Sequence, residues 1–407
     1  MTAVPDDLSA VVDGGLPSRT LAVLHVAEMS GPARSLRDRI AWLAEHGDVE
    51  LVVPGAGPAA DLYSGIATVT ELEYRALTLP GSPGKAAQEA MRLRREVVAF
   101  RRRMRASRPE LVVCATAMLP AVLLAARRER VPVLLYAAEI LSAGRSPLRR
   151  LGGRGLVRIA GTSAHAVAAC SATVAAQYPE AKTAVVPPPI PDAFAGGDGD
   201  GFRRRHGIPS DAPLVLAVGS LSAGRGQDVL LESIGRVRER RPATACAVVG
   251  VPFQREVDLA YERRLRRVAA GLGGGMAPAV IFCGYEPRIA DAYAAATMVV
   301  NPARSPEAFG RVCCEALAAA RPVIATGVGA IPEVLKNGET AELVPPDDPQ
   351  ALAEAIASLL SDPDRARARA EAGRRDVLER FAPERSLASF KRQVTTVMLS
   401  AVEPPAP

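Results

Sequence analysis

Three stretches follow one another in this chain: Ala296-Thr-Met-Val-Val-Asn301, Ser305-Pro-Glu-Ala-Phe-Gly-Arg-Val-Cys-Cys-Glu315-Ala-Leu-Ala318 and Arg321-Pro-Val-Ile-Ala-Thr-Gly327. They read as an apolar strand, a loop running into an Ala-rich helix, and a second apolar strand. A loop that opens a helix is a natural anion site, because unpaired backbone N–H groups and the helix dipole point at it. Glu307 lies on the loop and Glu315 one to two turns into the helix. Two acids so spaced can reach polyol groups on either side of an anion. A sugar, a diphosphate and a ribose fit that order.

Outward from this segment the strand-then-helix rhythm continues in both directions. After it, Ala341-Glu-Leu-Val344 is a strand pattern, and Ala351 to Leu360 a helix pattern. Before it come the strand patterns Leu214 to Gly219, Cys246 to Gly250 and Val280 to Gly284, with a helix pattern from Val229 to Val237. Pro187-Pro-Pro-Ile-Pro191 and the Gly/Asp run 196–201 read as a linker. The rhythm also fills the first half, with strand patterns at Leu21–Ala27, Val49–Val53, Leu111–Ala115, Val131–Tyr136 and Ala166–Ser171. His165 falls in an Ala/Ser helix pattern. Such alternation implies parallel sheets covered by helices. The expected fold is α/β, with two doubly wound Rossmann-like domains facing across a cleft. Residues 1–19 are expected to be a disordered extension. The first domain is expected over 20–190, completed by a C-terminal helix at 384–400, and the second over 191–383.

At 407 residues the chain exceeds what one hydrophobic core usually supports. Its formal charge of +6 is uneven: residues 1–190 hold 23 Lys+Arg against 17 Asp+Glu, and the remainder holds 27 of each. The excess points to an acidic partner of the first domain or to a solvated Arg-rich surface. The six cysteines form no CxxC pair and mostly fall in strand patterns, as small buried hydrophobes of a reducing compartment do. The start of the chain is polar and acidic, without the apolar core of a secretory signal. Leu111 to Ala126 is too short to span a bilayer. These features fit a cytoplasmic protein.

The second half resembles the nucleotide-binding domain of retaining GT-B glycosyltransferases, family 4. The resemblance runs in order over residues 212–362. It rests on Val218-Gly-Ser-Leu, Arg225-Gly226, Val280-Ile-Phe-Cys-Gly284, Glu307-Ala-Phe-Gly310, Glu315-Ala-Leu-Ala, Arg321-Pro-Val-Ile-Ala325, Gly329-Ala-Ile-Pro-Glu333 and Asn337-Gly338. The first half matches in outline only. The resemblance implies transfer of a sugar from a nucleoside diphosphate to a lipid, polysaccharide or natural-product acceptor, with no metal or other cofactor. Glu307 would hold donor-sugar hydroxyls and Glu315 the ribose. Backbone at Phe309, Gly310, Arg311 and Val312 would cradle the distal phosphate. Arg225, where the family usually has Lys, would neutralise the departing diphosphate. Backbone beside Gly284, at Tyr285 or Glu286, would meet the base. Glu333 either caps a helix or joins the ligand. The first-strand loop with Gly31 would lie near acceptor and phosphates.

Departures from the family pattern are informative. Ser220 stands where an Arg is common, so one cationic diphosphate contact is missing or comes from elsewhere. Pro32 replaces a second loop glycine. A His common after the strand corresponding to Val131–Tyr136 is absent, since the segment reads Tyr136-Ala-Ala-Glu139. Its role falls to Glu139, to His25 or Glu28, or to nothing. His25 on an apolar strand also reads as a satisfied core residue. Two alternatives therefore stand beside the transferase: a non-catalytic glycosyltransferase-like partner protein, and a nucleotide-sugar 2-epimerase of the same architecture.

Residues 91–108 form an amphipathic helix pattern, with Leu93, Val97, Phe100 and Met104 on one stripe and Arg92, Arg94, Arg95, Arg101, Arg102, Arg103 and Arg105 around it. The plain reading packs that stripe on its own sheet and turns the arginines to water. The functional alternative is peripheral contact with anionic lipid. Nucleic acid is not expected, because no aromatics interleave the basic residues.

Overall fold

The computed structural model describes residues 15–28, 31–77, 83–141, 147–179, 181–253, 255–272 and 279–402. The chain divides into two compact units, one running up to Pro188 and resuming at Glu384, the other comprising Pro189–Pro383.

The first unit contains strands β1 (Arg19–Val23), β2 (Asp48–Val53), β3 (Thr68–Glu71), β4 (Leu111–Cys114), β5 (Val133–Ala137), β6 (Ala166–Ala169) and β7 (Thr183–Val185). They form a seven-stranded sheet in the order β3-β2-β1-β4-β5-β6-β7, parallel throughout. Its helices are α1 (Gly31–Ala44), α2 (Pro58–Leu62), α3 (Pro83–Ser107), α4 (Pro120–Glu129), α5 (Pro147–Ser163) and α6 (Ala172–Ala175). The last helix of the chain, α15 (Pro383–Val402), returns to this unit. Its Phe390, Val394 and Val397 are fully buried, and Phe390 meets Trp42 of α1 edge-on at 6.4 Å.

The second unit holds α7 (Gly199–His206), β8 (Leu214–Val218), α8 (Gln227–Arg240), β9 (Ala245–Val249), α9 (Glu256–Gly271), β10 (Val280–Gly284) and α10 (Ile289–Ala295). It continues with β11 (Met298–Asn301), α11 (Arg311–Ala318), β12 (Val323–Thr326), α12 (Ile331–Val334), β13 (Glu342–Val344), α13 (Pro349–Ser361) and α14 (Pro363–Arg380). Six parallel strands lie in the order β10-β9-β8-β11-β12-β13. Both sheets are thus doubly wound, each with a point where strand order reverses: β1/β4 in the first, β8/β11 in the second. In such sheets ligands bind beyond the carboxyl ends of the strands at that reversal.

Why these residues make these elements is clear locally. Central strands such as β4 (Leu-Val-Val-Cys) and β11 (Met-Val-Val-Asn) are apolar on both faces and wholly buried, as a sheet covered on both sides requires. Helices begin at fixed signals. Asp348 and Asp362 accept the backbone N–H of Ala351 and Arg365, with proline opening each helix. Val229, Leu230, Ile234 and Val237 of α8 pack with Leu352 and Ile356 of α13 over β8 and β9.

Several expectations need correction. Residues 1–14 lie outside the described residues, but the extension does not reach 19: Arg19 opens β1, and the backbone N–H and hydroxyl of Ser18 both donate to Glu110. The first strand stops at Val23, although Leu24 N–H still reaches the Val52 carbonyl. The run 196–201 is not all linker. Asp198 accepts from Gly201 N–H at 2.8 Å and caps α7, so Gly199–Gly201 form a helical first turn. His165 is not helical. It sits between α5 and β6, where its N–H donates to the Val133 carbonyl and its Nδ1 accepts from Val133 N–H at 3.1 Å. Edge strands β3 and β7 went unread, because both are short and half-exposed.

Candidate functional site

At the β8/β11 reversal, two loops from distant parts of the chain meet. The β8–α8 loop makes a tight turn, Ala223–Arg225, ending at Gly226 with φ 69°. A Cβ there would stand 2.0 Å from the Pro302 carbonyl oxygen of the other loop, so only glycine admits the contact. The N–H groups of Arg304 and Ser305 both donate to the Gly224 carbonyl at 2.9 Å. This docking brings Arg225 to Glu307, whose guanidinium and carboxylate form an ion pair. The arginine is 40% and the glutamate 15% exposed at the side chain, so the pair borders solvent. Glu307 is fixed on its other side, where it pairs with Gly329 and its carbonyl accepts from Ala330 N–H at 2.8 Å.

Gly310 follows with φ 88° and begins α11 without any side-chain cap. A Cβ on it would lie 2.4 Å from Ile331 Cδ1. Phe309 is buried edge-on against Phe381 at 4.9 Å, which pins the loop. Arg311 and Val312 form the first helical turn. One turn on, Glu315 is 5% exposed. Tyr293 donates its hydroxyl to one carboxylate oxygen at 2.9 Å, and Arg311 its Nη2 to the other at 2.9 Å. The start of α11 therefore carries two arginine–glutamate pairs, Arg225–Glu307 and Arg311–Glu315. Burial beside Glu315 pushes the Tyr293 phenol well above its ordinary range, so it stays a donor at any working pH. Burial likewise pushes the Cys313 thiol up to about 12, making it a packing group. Asn301 donates to its sulfur at 3.5 Å.

The remaining residues expected to bind a donor lie on other elements. Ser220 follows β8, where its carbonyl accepts from Gln227 Nε2 at 3.0 Å. Gly284 ends β10 with φ 70°, its carbonyl accepting from Gly250 N–H at 2.7 Å. Tyr285 beyond it is 59% exposed. The Glu286 carboxylate is engaged by Arg205 at 3.3 Å, leaving Tyr285 the more open of the two. Glu333 stands in the first turn of α12, which no side chain caps. Gly31 belongs to the other unit, where it begins α1.

Sequence reading missed Tyr293, Arg304 and the side chain of Arg311. Arg304 pairs with both Asp228 and Asp347 and ties the two loops together. Burial works against the Asp228 carboxylate, yet the Arg304 and Tyr261 hydrogen bonds hold it below its ordinary range. Only the Arg311–Glu315 pair had a local signal, the i,i+4 spacing.

In the first unit, the sequence candidates cluster at carboxyl strand ends. Glu139, beyond β5, accepts from the Thr116 hydroxyl at 2.6 Å and from the N–H groups of Ala117 at 2.8 Å and Ala138 at 3.0 Å. Burial pushes its carboxyl above the ordinary range, and these donors offset part of that. His25 follows β1, its Nδ1 buried and without a partner among the described residues. Burial lowers its pKa, with the charge of exposed Glu28 acting the other way. The arginines of α3 are largely committed: Arg92 to Glu89 and Glu96, Arg101 and Arg105 to Glu129, Arg103 to Glu50. Among the described residues no helix is long and apolar enough to cross a membrane.

Comparison with known proteins agrees with this geometry. Residues 199–376 match the family model described as glycosyl transferases group 1. D-inositol 3-phosphate glycosyltransferase 2 of Catenulispora acidiphila is 38% identical over 178 residues, 43% of this chain and 41% of that protein. The GDP-mannose-dependent alpha-(1-6)-phosphatidylinositol monomannoside mannosyltransferase of Mycolicibacterium smegmatis is 33% identical over 201 residues, 47% of this chain and 49% of that one. The matched region thus spans under half the length of these curated relatives. Anabaena HepE, solved in complex with UDP-glucose, aligns over 93% of this chain and 99% of its own at 20% identity, with a TM-score of 0.78. Sucrose-phosphate synthase of Thermosynechococcus elongatus aligns over 94% and 100% at 22% identity, with a TM-score of 0.75. Its two Rossmann-like units give the chain the GT-B fold, and residues 199–376 are similar to the glycosyl transferases group 1 family.

Proposed function

We propose that the chain is a retaining glycosyltransferase whose second unit holds a nucleoside-diphosphate sugar and whose first unit takes the acceptor. The observation that carries this reading is the Arg225–Glu307 pair at the uncapped, glycine-initiated start of α11. It joins a cation, a carboxylate and a helix start at the strand reversal, the elements a sugar diphosphate requires. The names of the relatives, an inositol-phosphate glycosyltransferase and a GDP-mannose-dependent mannosyltransferase, support the same class. So does the UDP-glucose complex of HepE.

In this reading the diphosphate takes Arg225 from Glu307, and the freed carboxylate accepts hydroxyls of the sugar. Glu315 keeps Tyr293 and Arg311 and offers its remaining acceptor capacity to the ribose. Arg311 stands as the second cation in place of the residue missing at Ser220. The bond from the anomeric carbon to the phosphate oxygen breaks as the acceptor oxygen attacks on the same face. The acceptor proton passes to the departing phosphate oxygen, so configuration is retained. Positive charge from Arg225 and the α11 start serves the leaving group without a metal, and the enzyme acts in the cytoplasm. The acceptor is a hydroxyl of a lipid, polysaccharide or natural product. Outward-facing Met91, Arg94, Arg95, Val98 and Arg102 of α3 support peripheral contact with a lipid surface. Incubation with UDP-, GDP-, ADP- and TDP-sugars, read by thermal shift and by released nucleoside diphosphate, tests the proposal. Stabilisation by one of them with turnover supports it; silence from all of them refutes it.

A further inference from the structure

Helix α5 of the first unit carries Arg154 and Arg158 one turn apart and has no acidic residue along its length. The same i,i+4 spacing occurs on α3, where Arg101 and Arg105 clasp the two carboxylate oxygens of Glu129. Among the described residues Arg154 and Arg158 have no such carboxylate. Beside them instead lies a cavity of about 450 Å³, within the range of small-molecule sites. Its walls are the apolar Val157, Gly161, Ala176, Pro179 and Tyr178, which is 2% exposed, together with the polar Thr173 and Gln177. A mostly apolar pocket beside two guanidinium groups one helical turn apart, with no carboxylate partner among the described residues, matches an anion joined to a compact apolar group. Planar guanidinium forks favour phosphate oxygens in particular. The charge excess of the first half, which the donor site does not use, is met here.

We propose that this cavity binds a phosphate ester bearing a short apolar chain, the phosphate bridging Arg154 and Arg158 as Glu129 bridges Arg101 and Arg105. The proposal is independent of sugar transfer, because it concerns binding to the first unit alone. It is tested on the full chain by calorimetric titration with hexyl phosphate below its micelle concentration, against inorganic phosphate and 1-hexanol. Saturable binding is expected for hexyl phosphate, at least tenfold tighter than for either comparison compound. Arg154→Ala and Arg158→Ala should each weaken it about tenfold or more. Gly161→Leu should abolish it by filling the chamber while leaving thermal stability intact. A Cβ there meets only ordinary contacts, 3.6 Å to Tyr178 and 3.9 Å to Ala181, and a helix interior favours Leu over Gly. Absence of saturable binding, equal affinity for inorganic phosphate, or binding indifferent to these substitutions would overturn the proposal. Vesicles with and without phosphatidic acid distinguish a membrane headgroup from a soluble ester, and either source supports the site.

Discussion

Arg225 and Glu307, 82 positions apart, neutralise each other across the junction of the β8–α8 and β11–α11 loops. The pair holds each side chain near the place where a ligand would need it. In the function proposed above, a diphosphate would displace Glu307 from the guanidinium, and the released carboxylate would take sugar hydroxyls.

Replacing Glu307 with Gln should therefore abolish sugar transfer while nucleoside diphosphate still binds. Binding is read by calorimetry and transfer by product analysis. Near-normal turnover would remove Glu307 from the site.

Arg225→Ala should act on the diphosphate and not on the nucleoside. A charge-assisted hydrogen bond contributes about 1.5–3 kcal/mol, so affinity for the diphosphate should fall by roughly one to two orders of magnitude. Affinity for the unphosphorylated nucleoside should stay within about twofold. Equal losses for both ligands would contradict a phosphate contact.

Gly310→Ala tests the backbone at the helix start. A left-handed conformation and the 2.4 Å approach to Ile331 Cδ1 both oppose a side chain. A cost of about 1–3 kcal/mol is expected in denaturant unfolding, with weaker diphosphate binding. Unchanged stability would show that the turn relaxes without glycine.

His165 gives a pH dependence whose sign is fixed by its geometry. Its Nδ1 accepts from Val133 N–H, so the ring must be neutral there, and burial lowers its pKa from the ordinary 6.5. A lowered folded-state value means that the stabilisation is complete above the unfolded value of 6.5. It is lost as pH falls from there through the folded value. His25, lowered by burial too, adds to the same slope. His165→Asn, which keeps an acceptor but does not titrate, should flatten the decline in unfolding free energy between about pH 7 and pH 5.5. An unchanged slope would assign the dependence to other groups.

Arg39 of α1 is 1% exposed. Its Nη2 donates to the Pro187 carbonyl at 2.8 Å and to the Ser386 hydroxyl at 2.9 Å, while Nε and Nη1 have no partner among the described residues. The guanidinium lies 4.6 Å from the ring centre of Tyr136. Arg39→Ala should cost about 2–4 kcal/mol through lost packing. Arg39→Met should cost clearly less, because it keeps the volume and removes a half-satisfied buried charge. Equal unfolding midpoints for the two variants would show that packing is not the main term.

The sequence by itself determined the alternation of strands and helices, the breaks between them and the loop-to-helix setting of Glu307 and Glu315. Strand runs such as Leu111–Cys114 and caps such as Asp348 depend on neighbours a few positions away, so local pattern suffices. The Gly310 turn was legible for the same reason. Tertiary structure decided the partners. Arg225 reaches Glu307 because β8 pairs with β11, which places the loops after them side by side although β9 and β10 intervene in the chain. Tyr293 reaches Glu315 from α10, and Glu129 takes Arg101 and Arg105 of α3. Glu139 became a half-buried carboxylate held by the segment after β4. Periodicity tells which face of an element is apolar; what stands opposite that face depends on strand order, which only the folded sheet sets.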